Sequence, residues 1–281
     1  MKLASFRVGT RTGWGVTDGA TIVDMHLHYG ERWPTVRAVL AAGALAEIGR
    51  LASARKPDHR LDEIVLLPPV TDPDMIICVG MNYHSAFAEI DRTFPGRPSL
   101  FTRRISAQVG HGQTLRKPVV SEQYDCEVEL AAIIGTVGRN IAATDALTHV
   151  AGWSVFNDAS VVDWMRHTTQ NVTAGKNFEA SGAFGPFLVT ADEVGDPARL
   201  RLHHRLNGAV LQDGPVTDMC FSIAEQIAYI STFTTLLPGD VISTGSPGGI
   251  RSRRQANVWL KAGDVVEMEI PGVGTLRNTV A

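Results

Sequence analysis

The run YDCEVELAAIIG, residues 124–135, constrains the fold more than any other stretch of this chain. Asp125, Glu127 and Glu129 alternate with Cys126, Val128 and Leu130, and the apolar residues AAII follow at once. In an extended strand, residues i and i+2 point the same way, about 6.6 Å apart along the chain. Carboxylates so placed repel one another, so each must be protonated, exposed or neutralised by a cation. The segment therefore predicts a strand over 127–135 that begins amphipathic and ends buried.

Its neighbours are of the same kind. KLASFRV, TGWGVT, TIVDM, MIICVG, HVAGWSVFND, GPFLVT, DVISTG, DVVEMEI and GTLRNTV are short β-branched or aliphatic runs bounded by turn residues. LRLHHRLNGAVLQDG reads as a hairpin, because Asn207-Gly208 suits a type I′ turn. Residues 35–54 are Ala- and Leu-rich with helical spacing, and 221–236 form an amphipathic helix stopped by Pro238-Gly239. NYHSAFAEI adds one or two helical turns after MIICVG. Many strands and few helices predict an α+β, β-rich chain whose sheet is closed or folded over on itself. Prolines and charges in KPDHRLDEIVLLPPVTDPD place a boundary near residue 70, so 1–70 form a small α+β domain ahead of 71–281.

Bulk properties exclude several classes. The formal net charge of −3 in 281 residues gives no reason to expect nucleic acid or an anionic membrane as partner. No uncharged apolar stretch nears the ~18 residues of a membrane span, and MKLASFRVGTRTGWG has no apolar signal core. Three scattered cysteines without a CxxC pair argue against a disulfide framework and for a reducing, cytoplasmic setting.

The acids of EVEL have two readings. A hard divalent ion with oxygen ligands would neutralise them, with Asp158 of FNDAS completing the site from a neighbouring strand. Alternatively they line a solvated face, as Glu267 and Glu269 of VVEMEI would. His26 and His28 of MHLH have zinc-like spacing but no acid cluster nearby, and read as surface histidines. His203 and His204 face opposite ways on a strand and do not share a metal. STGSPGG, 243–249, is either a plain turn or a backbone cradle for an anion. No GxSxG elbow or phosphate-binding loop occurs.

Taken together and in order, ICVGMNY, DCEVELAAIIG, VFNDASVVDW, GKNFEASGAFGPFLVT, DMCFSIAEQIAYIS, LLPGDVISTGSPGG and VVEMEIPGVGTLRN resemble the fumarylacetoacetate hydrolase family over about residues 70–281. The resemblance implies a mixed β-roll, a homodimer, and a site for Mg²⁺ or Mn²⁺, with Ca²⁺ a further oxygen-seeking substitute. It implies Glu127, Glu129 and Asp158 as ligands, and Lys176 as active-site lysine. It also implies Tyr83, Thr244 and Gly245 as substrate contacts, with Ser246 in place of a commoner threonine. The expected activity is hydrolysis of a C–C bond in a β-diketo acid of the acylpyruvate type, in the catabolism of aromatic compounds.

Two departures qualify that expectation. The family pattern NYxxHxxE, whose His–Glu pair activates water, is here NYHSAFAE: Glu89 fits, but Ala86 stands at the histidine position and His84 lies two residues early. Either the chain's chemistry needs no such base, or Ala86 replaces a histidine by design. Val162 and Met165 stand where many members have arginine and glutamine. The alternatives are decarboxylation of an oxo-diacid or keto–enol isomerisation at the same site. A rival of another class is a non-catalytic binding protein with a structural metal.

Overall fold

The structure, a computed structural model, describes residues 1–90, 94, 96–169 and 171–281, with the side chains of 251–253 outside the description. Its core is a twelve-stranded sheet and a five-stranded sheet. The large sheet runs in the order His59–Arg60, Thr21–Val23, Arg11–Thr17, Lys2–Val8, Gly182–Thr190, Val150–Asn157, Val128–Ile134, Val241–Ser243, Ile76–Gly80, Ser99–Arg103. Val65–Leu66 and Gln108–Val109 attach to its side. The smaller sheet runs Ala209–Pro215, Arg201–Leu206, Val265–Ile270, Gly274–Val280, Thr114–Leu115. The chain is thus α+β and β-rich, as its run of short strands predicts. The first 70 residues share the large sheet, since Lys2 and Leu3 pair with Val189 and Leu188.

Alternation along the central strands explains the layering. On Val128–Ile134 the even residues Val128, Leu130, Ala132 and Ile134 face the smaller sheet, packing with Leu202, Val266, Met268 and Leu276. The odd residues Ala131 and Ile133 face the opposite layer, where Val36, Val39, Leu40 and Ile48 of the N-terminal helices cover them. All seven residues of this strand are buried. The expected amphipathic start is therefore corrected. The strand begins at Val128, Tyr124–Asp125 is a separate short strand paired with Ser160–Val161, and Glu129 is buried, not solvated. A strand covered on both faces reads as a continuous apolar run; an acid in it needs a partner.

Two further expectations change. Residues 35–54 are two helices, Val36–Ala41 and Leu45–Ser53, because Gly43 takes a left-handed φ of 61° between them. Met25–Tyr29 is a short helix, not strand, capped by the Asp24 carboxylate accepting from Leu27 N at 2.9 Å. The hairpin turns at Asn207 and Gly208 with φ of 51° and 85°, as a type I′ turn requires. Ile223–Phe233 begins with a reciprocal Ser222–Glu225 capping box. Among the described residues no helix is long and apolar enough to cross a membrane.

Close strand packing makes one glycine testable. A Cβ on Gly152 would lie 2.3 Å from the carbonyl oxygen of Val189. Gly152→Ala is expected to destabilise the fold by about 1–3 kcal/mol, read as a lower urea midpoint at unchanged slope.

Candidate functional site

The face that carries Ala131 and Ile133 continues to Glu129, beyond the cover of the N-terminal helices. Glu129 is 2% exposed, and its Oε2 accepts from Ser243 Oγ at 2.5 Å and from Gly245 N at 3.0 Å. Both donors come from the end of the Val241–Ser243 strand and the STGSPGG loop after it. Gly245 has a φ of 97°, and a Cβ there would meet Asn82 Cβ at 2.6 Å, so glycine is required.

Glu127 lies just before the strand. Its Oε1 accepts from Ser160 Oγ at 3.0 Å and its Oε2 from Ser246 Oγ at 3.2 Å. Its own carbonyl accepts from Asp158 N at 3.0 Å, which ties the second acid to the third through the backbone. Asp158 follows the strand Val150–Asn157 and is clamped between two buried cations. Arg103 Nη1 donates to Oδ1 at 2.6 Å, and the Lys176 ammonium contacts Oδ2. Lys176 Nζ is also 3.6 Å from Glu127 Oε1 and sits 5.1 Å from the Phe101 ring centroid.

Carboxylate oxygens of Glu127, Glu129 and Asp158 lie within 4.8 Å of one another, and this is the cluster among the described residues that could hold a metal ion. Burial holds the Glu129 carboxyl well above the usual carboxylate range, and the charge of Asp158 adds to it. Three converging oxygen donors with mutual repulsion fit a hard divalent cation. The control segment behaves differently. Glu267 and Glu269 are half-buried and paired with Arg205 and Arg277, with Arg205 Nη1 2.7 Å from Glu269.

The remaining sequence candidates take varied places. Asp125 stays outside the triad. Its Oδ1 accepts from Cys126 N at 2.8 Å and its Oδ2 from Arg254 Nε at 2.9 Å. The Thr244 hydroxyl donates to Leu130 O at 2.9 Å, so of Thr244 and Ser246 it is Ser246 whose hydroxyl reaches the cluster. Tyr83 is fully buried with its hydroxyl unpartnered among the described residues, and burial followed by the Glu129 charge pushes it well up. Ala86 is buried on the short helix His84–Ala88, while His84 is exposed and stacks near Phe94 at 6.3 Å. That helix is pinned by Ser85, whose Oγ donates to Asp218 Oδ2 at 2.5 Å and accepts from Gly248 N at 3.0 Å. Glu89 accepts from Gly249 N. His204 is buried between Cys126 Sγ at 3.3 Å and Gln212 Oε1 at 3.2 Å, while His203 faces Asp213. His26 and His28 join no metal cluster among the described residues.

Sequence reasoning missed Arg103, Arg254, Ser160 and Ser243. Arg103 closes a strand in TRR, where two adjacent arginines look like a solvated edge; the sheet order alone turns one of them inward.

Glu129 and Asp158, both buried, and the partly buried Glu127 thus form, beside a clamped lysine, an acid cluster that could hold a metal ion. Residues 75–281 match the model of the fumarylacetoacetate hydrolase C-terminal domain, and the chain belongs to that family. It is 38% identical over 287 residues to human mitochondrial oxaloacetate tautomerase FAHD2A, spanning all of this chain and 91% of the relative. Among solved structures, it resembles fumarylacetoacetate hydrolase from the psychrophilic Exiguobacterium antarcticum at TM-score 0.87 and 33% identity, covering 100% and 99% of the two chains. Maleylpyruvate hydrolase from Sphingobium sp. SYK-6, in complex with manganese(II) and pyruvate, aligns at TM-score 0.82 and 27% identity, again over 100% and 99%.

Metal binding to this triad is expected to show as thermal stabilisation. Mn²⁺ at a hundredfold excess over its dissociation constant should add about 2.7 kcal/mol, roughly 5–10 °C for a chain of this size. Glu129→Gln should lose most of that shift in the same melting experiment. An unshifted wild type would remove the metal assignment.

Proposed function

We propose that this chain catalyses the keto–enol interconversion of a 2-oxo diacid of the oxaloacetate type, with Mg²⁺ or Mn²⁺ at Glu127, Glu129 and Asp158. One observation carries the reading: the triad and Lys176 converge, while Ala86, the buried residue of the short helix His84–Ala88, puts a methyl group where a water-activating histidine is expected. The relatives named oxaloacetate tautomerases support the same class.

Tautomerisation moves one proton from C3 to the C2 oxygen and needs no attacking water. A divalent cation at the triad would supply Lewis acidity to the carboxylate and the 2-oxo group. Burial disfavours the Lys176 ammonium, but Asp158 and Glu127 outweigh it and keep it protonated. Lys176 therefore acts as a fixed charge and hydrogen-bond donor beside the oxygen that becomes negative, not as the base. Glu89, held on Gly249 N–H, is assigned the C3 proton; water protonates the C2 oxygen and takes the proton from Glu89, and the same two transfers run backward in ketonisation. Ser246, Gly245 and the Tyr83 hydroxyl border the space for the substrate's first carboxylate, with Thr244 holding the loop to Leu130.

C–C hydrolysis of an acylpyruvate is the second reading, favoured by the likeness to maleylpyruvate hydrolase. With Ala86 in place of a base, that step should be slowed by about 10²–10⁴-fold. A purely structural metal site would have no use for a buried lysine against the ligands, which speaks against a binding protein. The homodimer implied by the resemblance belongs to this proposal; light scattering should give the mass of two chains. The free cysteines, two of them buried, fit a reducing compartment such as the cytoplasm or the mitochondrial matrix.

The deciding assay follows loss of enol-oxaloacetate absorbance with Mn²⁺ present. Wild type should accelerate ketonisation without releasing pyruvate, Lys176→Met should lose at least about 10²-fold, and Ala86→His should leave the rate within a few-fold. If Ala86→His instead gains acylpyruvate cleavage and neither form tautomerises oxaloacetate, the hydrolase reading replaces this one.

A further inference from the structure

The acid run leaves one carboxylate, Asp125, outside the triad, and the residue it holds is informative. Arg254 donates through Nε to Asp125 Oδ2 at 2.9 Å and through Nη2 to Glu127 Oε1 at 2.9 Å. Lys176, Arg103 and Arg254 thus border the four acids, but they differ in access. The side chains of Lys176 and Arg103 are 3% and 0% exposed, and both are committed to Asp158. Arg254 retains 22% exposure. It is the cation of these three that a ligand entering from solvent can reach.

Charge and chemistry say what that ligand carries. A 2-oxo acid would meet a divalent cation held by the triad with its first carboxylate and its oxo oxygen. A second carboxylate, two carbons away in a four-carbon diacid, needs its own cationic partner. Val162 and Met165, where many family members carry arginine and glutamine, supply none: Val162 is buried and apolar and Met165 packs toward Gly175. A guanidinium has five N–H donors in a planar fork suited to carboxylate. The two bonds to Asp125 and Glu127 leave others to offer.

We infer that Arg254 is the specificity-determining residue of the site, binding the second carboxylate of a dicarboxylic 2-oxo acid, with Asp125 as the positioning residue that fixes it. This rests on the 2-oxo acid reading above. Asp125 anchors the guanidinium from the interior side, so Arg254 is held at the site even when a ligand draws on its remaining donors.

The test is calorimetric binding of oxaloacetate, at keto–enol equilibrium, and of pyruvate to the Mn²⁺-loaded protein, beside direct Mn²⁺ titration. At saturating Mn²⁺, Arg254→Gln should weaken oxaloacetate about ten- to a hundredfold, with pyruvate within about twofold to threefold of wild type. Arg254→Lys should restore part of the loss. If Arg254→Gln fails to fold with the Asp125 charge uncountered, Asp125→Asn combined with Arg254→Gln removes both charges and reads the same selectivity. Equal losses for both ligands at saturating Mn²⁺, or no loss for oxaloacetate, would overturn the inference. Failure of the tautomerase reading looks different: selective binding persists, but enol absorbance decays no faster with wild type than without it.

Discussion

The clamp on Asp158 is the interaction on which the rest of this structure depends. A carboxylate buried with two cations is stable only while every partner is in place, because removing one leaves an uncompensated charge in a low dielectric. Breaking such a set costs about 3–5 kcal/mol. Arg103 arrives from the last strand of the large sheet, Asp158 from the end of a central strand, and Lys176 from the helical turn Thr173–Lys176. The clamp therefore forms only when three elements distant in sequence are already ordered. The sheet order, with Ile76–Gly80 between Val241–Ser243 and Ser99–Arg103, brings these ends together.

The same arrangement sets buried carboxylates against one another. Glu129 is pushed toward its neutral form by burial and by Asp158, while Ser243 and Gly245 N donate to its charged form. Donors oriented at a repelling set of acids would suit a hard cation there. Arg254 and Asp125 extend this logic outward, placing a partly exposed guanidinium where the buried cluster meets solvent. The Asn82 side chain, bonded to Phe221 and Thr244 carbonyls, locks the helix bearing Ala86 and Glu89 over the same loop.

Much of the fold is legible in the sequence because strands here carry strong local marks. β-branched runs, the Asn207-Gly208 turn and the Ser222–Glu225 cap each depend on residues a few positions apart. The break at Gly43 was harder to read, since alanine-rich sequence on both sides keeps helical spacing across it. The helix at Met25–Tyr29 depends on one cap and looks like strand by composition. The acid run predicts that carboxylates gather, and Glu127, Glu129 and Asp158 do so. It does not tell Glu129 from Glu269, whose segment VVEMEI has the same pattern but a half-exposed face.

By itself the sequence determined the strand-rich class, because strand and turn signals are local, and the resemblance of its ordered segments to one family singled out the acids and lysine that the fold brings together. Tertiary structure alone decided which acids are buried, that Asp125 serves Arg254 while Glu127 joins the triad, and that Ser246 rather than Thr244 turns its hydroxyl toward them. It also decided that Arg103 points inward and Arg254 partly outward. The physical reason is that burial and charge pairing are properties of spatial neighbours, and Arg103 and Asp158 lie 55 residues apart along the chain, while Arg254 and Asp125 lie 129 apart.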